Sequence, residues 1–168
     1  MYMENIQILD LKGTIDSVSE TLNLIDGIKE DGEIIQLLNA DSIASRNHII
    51  HGVNQAILAF DRCENLAKDL SVEIVLRCSA QRQISKAFEI LGLKEGYMNL
   101  CAILVNSKNH TSELSEIFSL DDNVFIPDDE ILMKIYKISD IEIKNMSLED
   151  IFIKELGGEH SEYRELLS

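Results

Sequence analysis

The residues with the clearest chemical potential lie in two stretches of the chain. Arg77, Ser79, Arg82, Gln83 and Lys86 fall within RCSAQRQISKAFEILG at positions 77–92, which carries three bases and no acid before Glu89. Guanidinium forks, an ammonium and a hydroxyl at this spacing suit an anion, above all a phosphate, with Gln83 able to hydrogen-bond a base edge. Asn47, His48 and His51 fall within the second stretch, RNHIIHG. Two histidines three apart on a helix can face one metal ion, or serve as acid and base for a small enzyme. No third ligand is signalled beside them, so surface or half-buried imidazoles are the plainer reading, and no metal or cofactor is expected. The runs Asp121-Asp122 and Asp128-Asp129-Glu130 would supply paired carboxylates, although such runs ordinarily solvate loops and helix starts. A Walker-type loop, a GxGxxG turn, a nucleophile elbow and a CxxC pair are all missing from the sequence, which removes the usual signatures of nucleotide cradling, acyl transfer and thiol redox chemistry.

The 168 residues carry 15 bases against 30 acids, a net charge of -15. That balance opposes a polyanion partner, because nucleic-acid affinity depends on Lys and Arg neutralising phosphates. Between positions 42 and 94, however, seven bases face five acids, a net of +2, so the two flanks hold -17. Positions 42–60 and 74–88 are free of acid. An acidic body is therefore expected to frame a neutral-to-basic patch. The length suits one core and one domain, 1–168, with Gly157-Gly158 marking off 157–168 as a flexible tail. Apolar runs are far shorter than a membrane span requires. The N-terminal MYMENIQILD lacks an export pattern, and the three cysteines sit in apolar segments as reduced core thiols. A cytoplasmic protein that does not engage a membrane is expected.

The elements that must position these residues can be read from periodicity. Alternation at 6–11, a short apolar run at 34–38, a β-branched run at 72–77 and the apolar run at 98–105 read as strands. Ser17-Val-Ser-Glu20 is a capping box that opens a helix. A long helix is expected over 46–69, with Ile49, Val53, Ala56, Phe60, Cys63, Ala67 and Leu70 inward and Asn47, His51, Gln55 and Arg62 outward. Ser79 is placed to cap a helix over 81–91 that ends at Gly92. In that reading a strand end feeds a helix N-terminus beside two arginines, a ready anion site. Further helices are expected near 112–118, 128–136 and 147–156. The fold class is α+β: a two-layer sandwich, with a mostly antiparallel or mixed sheet of about four strands packed against five to six helices. The alternation in IQILDL disfavours a fully parallel, doubly wound sheet.

Positions 41–92, with SRNHIIHGVNQAILAF followed by LSVEIVLRCSAQRQISKAFEILGL, resemble the small kinase-binding subunit of the KEOPS (EKC) complex. The block from Glu73 through Ser79-Ala-Gln-Arg-Gln-Ile84 to Gly92 carries the likeness most specifically. The resemblance implies a non-catalytic subunit that docks on the kinase-like ATPase of that complex and helps it make threonylcarbamoyladenosine in tRNA. It further implies that the subunit holds the 3′ CCA end of the tRNA. Ser79, Arg82, Gln83 and Ile84, with Asn47 and His48 on the preceding helix, are the matching positions, and Arg77 and Lys86 extend the patch. Leu148, Ile151, Phe152 and Leu156 form a helical apolar stripe, and Tyr163, Leu166 and Leu167 recur in the tail. These are the candidates for kinase docking.

Overall fold

The computed structural model describes residues 5–121 and residue 124. Its frame is an antiparallel sheet. The alternating N-terminal segment extends further than its pattern suggests, into a ten-residue strand β1, Ile6–Ile15. Ser17 then caps α1, Val18–Ile28, its hydroxyl accepting from Glu20 N at 3.3 Å. Strand β2, Ile34–Asn39, leads through a short 3-10 turn, Ala40–Ser42, into α2, Arg46–Asp61. Two more helices follow, α3 at Leu70–Ser79 and α4 at Ile84–Leu91. The chain returns to the sheet as β3, Gly96–Val105, and ends its described course with α5, Thr111–Ile117, and the two-residue β4, Ser119–Leu120.

The strand order is β2-β3-β1-β4, every pair antiparallel. Strand β3 is central, matched along its whole length by β1, from Ile6 opposite Val105 to Ile15 opposite Gly96. Its inner half, Leu100 to Val105, is fully buried. Cys101, Ile103 and Val105 pack with α2, α3 and α4, while Met98, Leu100, Ala102 and Leu104 meet Ile25 of α1 and Leu114 of α5. The α+β class is as expected. Both faces of the sheet are covered rather than one, and this is why β3 reads as an unbroken apolar run although its partners are antiparallel.

One predicted strand is a helix. Residues 72–77 belong to α3, where Val72, Ile74 and Val75 pay only the modest helix cost of β-branched side chains and pack against the α2 side of the core. Seven of the ten residues of α3 are buried, and a segment buried almost all round shows neither helical nor strand periodicity. The long helix expected over 46–69 is correspondingly shorter, ending at Asp61. Helix α2 closes at Arg62 with Cys63 in the left-handed region at φ 57°. Cys63 N donates to Phe60 O and Glu64 N to Ala59 O, the paired bonds of a Schellman stop. Cys63 is therefore exposed, and only Cys78 and Cys101 are core thiols. The helices predicted at 128–136 and 147–156, and the tail at 157–168, lie outside the described residues.

Candidate functional site

The acid-free windows meet where α2 packs on α3. Ser45 caps α2 by accepting from His48 N at 3.2 Å, which fixes the first turn and aims the His48 ring inward. His48 is fully buried, with Nδ1 accepting from Ala44 N at 3.0 Å and Nε2 donating to Cys78 O at 2.7 Å. Those two bonds define the neutral tautomer and tie the start of α2 to the end of α3. Burial, aided by the nearby His51, holds the imidazole down at a pKa of about 4 against a weaker opposing pull from the Cys78 carbonyl. One turn on, α2 approaches α3 so closely that a Cβ on Gly52 would stand 2.4 Å from Cys78 Sγ. Burial pushes the Cys78 thiol up to about 12, so it is an apolar filler and not a nucleophile.

Across the same pair of helices lies a carboxylate that periodicity alone does not single out. Glu73 is completely buried. It accepts from Leu66 N at 3.0 Å and Ala67 N at 2.7 Å, pinning the link between α2 and α3, and from Arg77 Nε and Nη2 at 3.1 and 2.9 Å. Its sequence signal was available: a Glu four residues before an Arg is the favoured helical pair. Arg46 is committed in the same way, reaching Asp10 Oδ1 at 3.1 Å and Ile8 O at 3.2 Å. Two of the bases counted toward the positive patch are thus spent on buried acids.

The predicted site residues therefore separate. Ser79 is buried at the end of α3, its hydroxyl donating to Leu76 O at 3.0 Å, and caps nothing. The stop after it is again left-handed, with Ala80 at φ 56° and Gln81 N bonded to Leu76 O. His51 is buried at 3% exposure instead of facing out, and Asn47 is half-buried. The expected anion site between a strand end and a helix N-terminus does not form, because the strand is α3 and Arg77 is paired. Arg82, Gln83 and Lys86 remain together and exposed on the α3–α4 connection and the first turn of α4, beside Ile84, itself 47% exposed. The first turn of α4 has no side-chain cap from Gln83. Leu148, Ile151, Phe152, Leu156, Tyr163, Leu166 and Leu167 lie outside the described residues.

A second polar cluster sits at the far corner of the sheet. Glu33, just before β2, accepts from Glu30 N, Ser107 Oγ, Lys108 N and His110 Nε2 at 2.6–3.0 Å. These bonds, the backbone ones first, hold its carboxyl down at about 2, and the Glu33 contact raises His110 above the ordinary imidazole range. The cluster joins the start of β2 to the loop between β3 and α5. Among the described residues no group of three metal-ligating side chains is assembled. The enzyme reading based on His48 and His51 loses its geometry, since His48 has both ring nitrogens in use and both rings lie in the interior.

What these residues define is an α+β protein in which His48, His110 and several charges hold elements together, and which offers charged and apolar surface outward. The chain belongs to the family described as kinase binding protein CGI-121, which matches residues 15–157. The regulatory protein Cgi121 of Methanocaldococcus jannaschii is similar over 108 residues at 35% identity, covering 61% of this chain and 70% of that protein.

Proposed function

We propose that this protein is a non-catalytic accessory subunit of a KEOPS complex, which docks on the kinase-like ATPase subunit and recruits tRNA by its 3′ CCA end for threonylcarbamoyladenosine formation. The family match supports kinase docking most strongly, because residues 15–157 include almost the whole described fold. For the RNA, support comes from Arg82, Gln83 and Lys86, exposed together on one shoulder of an otherwise acidic molecule. Arg82 and Lys86 meet phosphates there, and Gln83 is free to bond a base edge. Screening over about 10 Å at ordinary salt lets such a local patch act despite the net charge. No described helix is long and apolar enough to cross a membrane, and we place the protein in the cytoplasm with its tRNA partner.

Filter binding with tRNA, intact and lacking its CCA end, tests the reading. Intact tRNA is expected to bind at least tenfold more tightly, and Arg82→Ala to weaken it about threefold to tenfold while lowering the salt slope by about one. Pull-down by the kinase-like subunit should survive Arg82→Ala and be lost on truncation at Gly157. Equal affinity for the two tRNAs sinks the tail-holding role, and retained pull-down by the truncated chain moves kinase docking away from the tail.

A further inference from the structure

The sheet has two edges, and they are treated differently. At one side β4 is only two residues long, one of the ways in which proteins blunt an edge. At the other, β2 offers six residues, IIQLLN, with neither a charge nor a proline. Among the described residues β2 pairs on one side only, with β3. An apolar, uncharged strand of this length, spanning about 20 Å and unpaired on its outer side among the described residues, is a template for another strand.

Two cavities run along that edge, of about 500 and 220 Å³, and Leu22, Gln36 and Leu37 line both. They form one groove with β2 in its floor. Helix α1 supplies one wall through Leu22 and Ile25, and Leu70 of α3 and Phe88 of α4 supply apolar surface elsewhere along it. Leu22 is 43% exposed, too open for a core residue of an amphipathic helix. The larger cavity is bordered by Asp26, Glu33 and Asp69 against a single base, Lys29, which pairs with Asp26 at 3.0 Å. Glu33 stays ionised through its four hydrogen bonds, and Asp69, at the head of α3, makes no side-chain cap bond.

From this geometry we propose that β2 is a docking edge for an extended segment of a protein partner, which adds as a fifth strand, with apolar side chains in the groove and a Lys or Arg opposite Asp69. Backbone bonds supply the affinity, and the acidic border selects a basic strand. A second copy of this chain is the wrong occupant, because it would bring the same acids together between two molecules of net charge -15. Arg82, Gln83 and Lys86 line neither cavity, and the proposal does not depend on RNA binding.

The probe is an acetylated, amidated octapeptide alternating valine and lysine, compared with the same peptide N-methylated at every second amide. Both are titrated into the full chain while backbone amide exchange is followed by NMR. The unmodified peptide is expected to slow exchange within Ile34–Asn39 at least tenfold and to bind at least tenfold more tightly than its N-methylated form. Leu22→Asp, at an exposed position, should weaken it at least tenfold, and Asp69→Asn about threefold. Equal binding of the two peptides would mean charge attraction alone and overturns the proposal. It is overturned as well if the outward amides of β2 are already protected in the chain by itself, or if sedimentation reveals a dimer that Leu22→Asp abolishes.

Discussion

Two corners of this molecule each join a histidine and a carboxylate to backbone, and they do so with opposite electrostatics. Where α2 meets α3, His48 is neutral and bonded to main-chain groups, with Glu73 neighbouring on the same pair of helices. Where β2 meets the loop before α5, His110 and Glu33 bond each other directly at 2.8 Å. The first histidine is pushed down by burial and the second is raised by its carboxylate. A histidine's residue type therefore says little about its charge; burial sets it for His48 and the carboxylate within 3 Å sets it for His110. Neither ring is offered to a ligand, and both serve to fasten one element to another.

The comparison can be broken most forcefully at Glu73. Glu73→Ala should cost about 3–5 kcal/mol, since Leu66 N, Ala67 N and Arg77 lose their acceptor inside the protein. Denaturant unfolding measures it, and a loss below 1 kcal/mol would mean that the carboxylate holds nothing. Acid should then separate the two histidines. His48 has a folded pKa of about 4 and an unfolded value near 6.5, so the unfolded chain binds the extra proton and stability falls as pH drops through that window. Between pH 7 and 4.5 the loss is about 2–3 kcal/mol, and His48→Gln should start less stable but show a flatter profile. Unchanged acid sensitivity in that variant would place the proton elsewhere.

Packing at the same corner gives a smaller effect. Gly52→Ala forces a methyl against Cys78 Sγ and should cost about 1–3 kcal/mol, part of it recovered by Cys78→Ala in a double-mutant cycle. If the second change recovers nothing, the close approach is not what limits the site. At the ionic corner the sign reverses. His110, raised in the fold, contributes stability that is complete below its unfolded pKa and is lost as pH rises through the folded value. Glu33, held at about 2, contributes above its ordinary value of 4.5 and loses that contribution as pH falls from there to about 2. Glu33→Gln should move the His110 titration down toward its ordinary midpoint by NMR, and an unmoved midpoint would assign the shift to Glu113.

Much of the fold was legible because burial on one face leaves a period. Alternation marked β1, the Ser17 cap marked α1, and the α2 stripe was right as far as Phe60. Reading failed where periodicity vanished. Helix α3 is buried almost all round, so its β-branched residues looked like a strand, and the stop at Cys63 is a left-handed turn made by a residue that is not glycine. The candidate site inherited that error. Arg82, Gln83 and Lys86 stayed on the surface because the α3–α4 connection carries them outward. Arg77, Ser79 and His48 were withdrawn into structure, since each found a partner distant from the patch or already buried.

By itself the sequence determined the α+β class, the antiparallel sheet, the charge framing of positions 42–94 and the kinship to a kinase-binding family, because these rest on local period, composition and motif. Only the tertiary structure decided which charges are free. Ion pairing and desolvation depend on what folds within a few ångströms, as Asp10 does for Arg46, and that β2 lies at the edge of the described sheet is known only once the order of the strands is known.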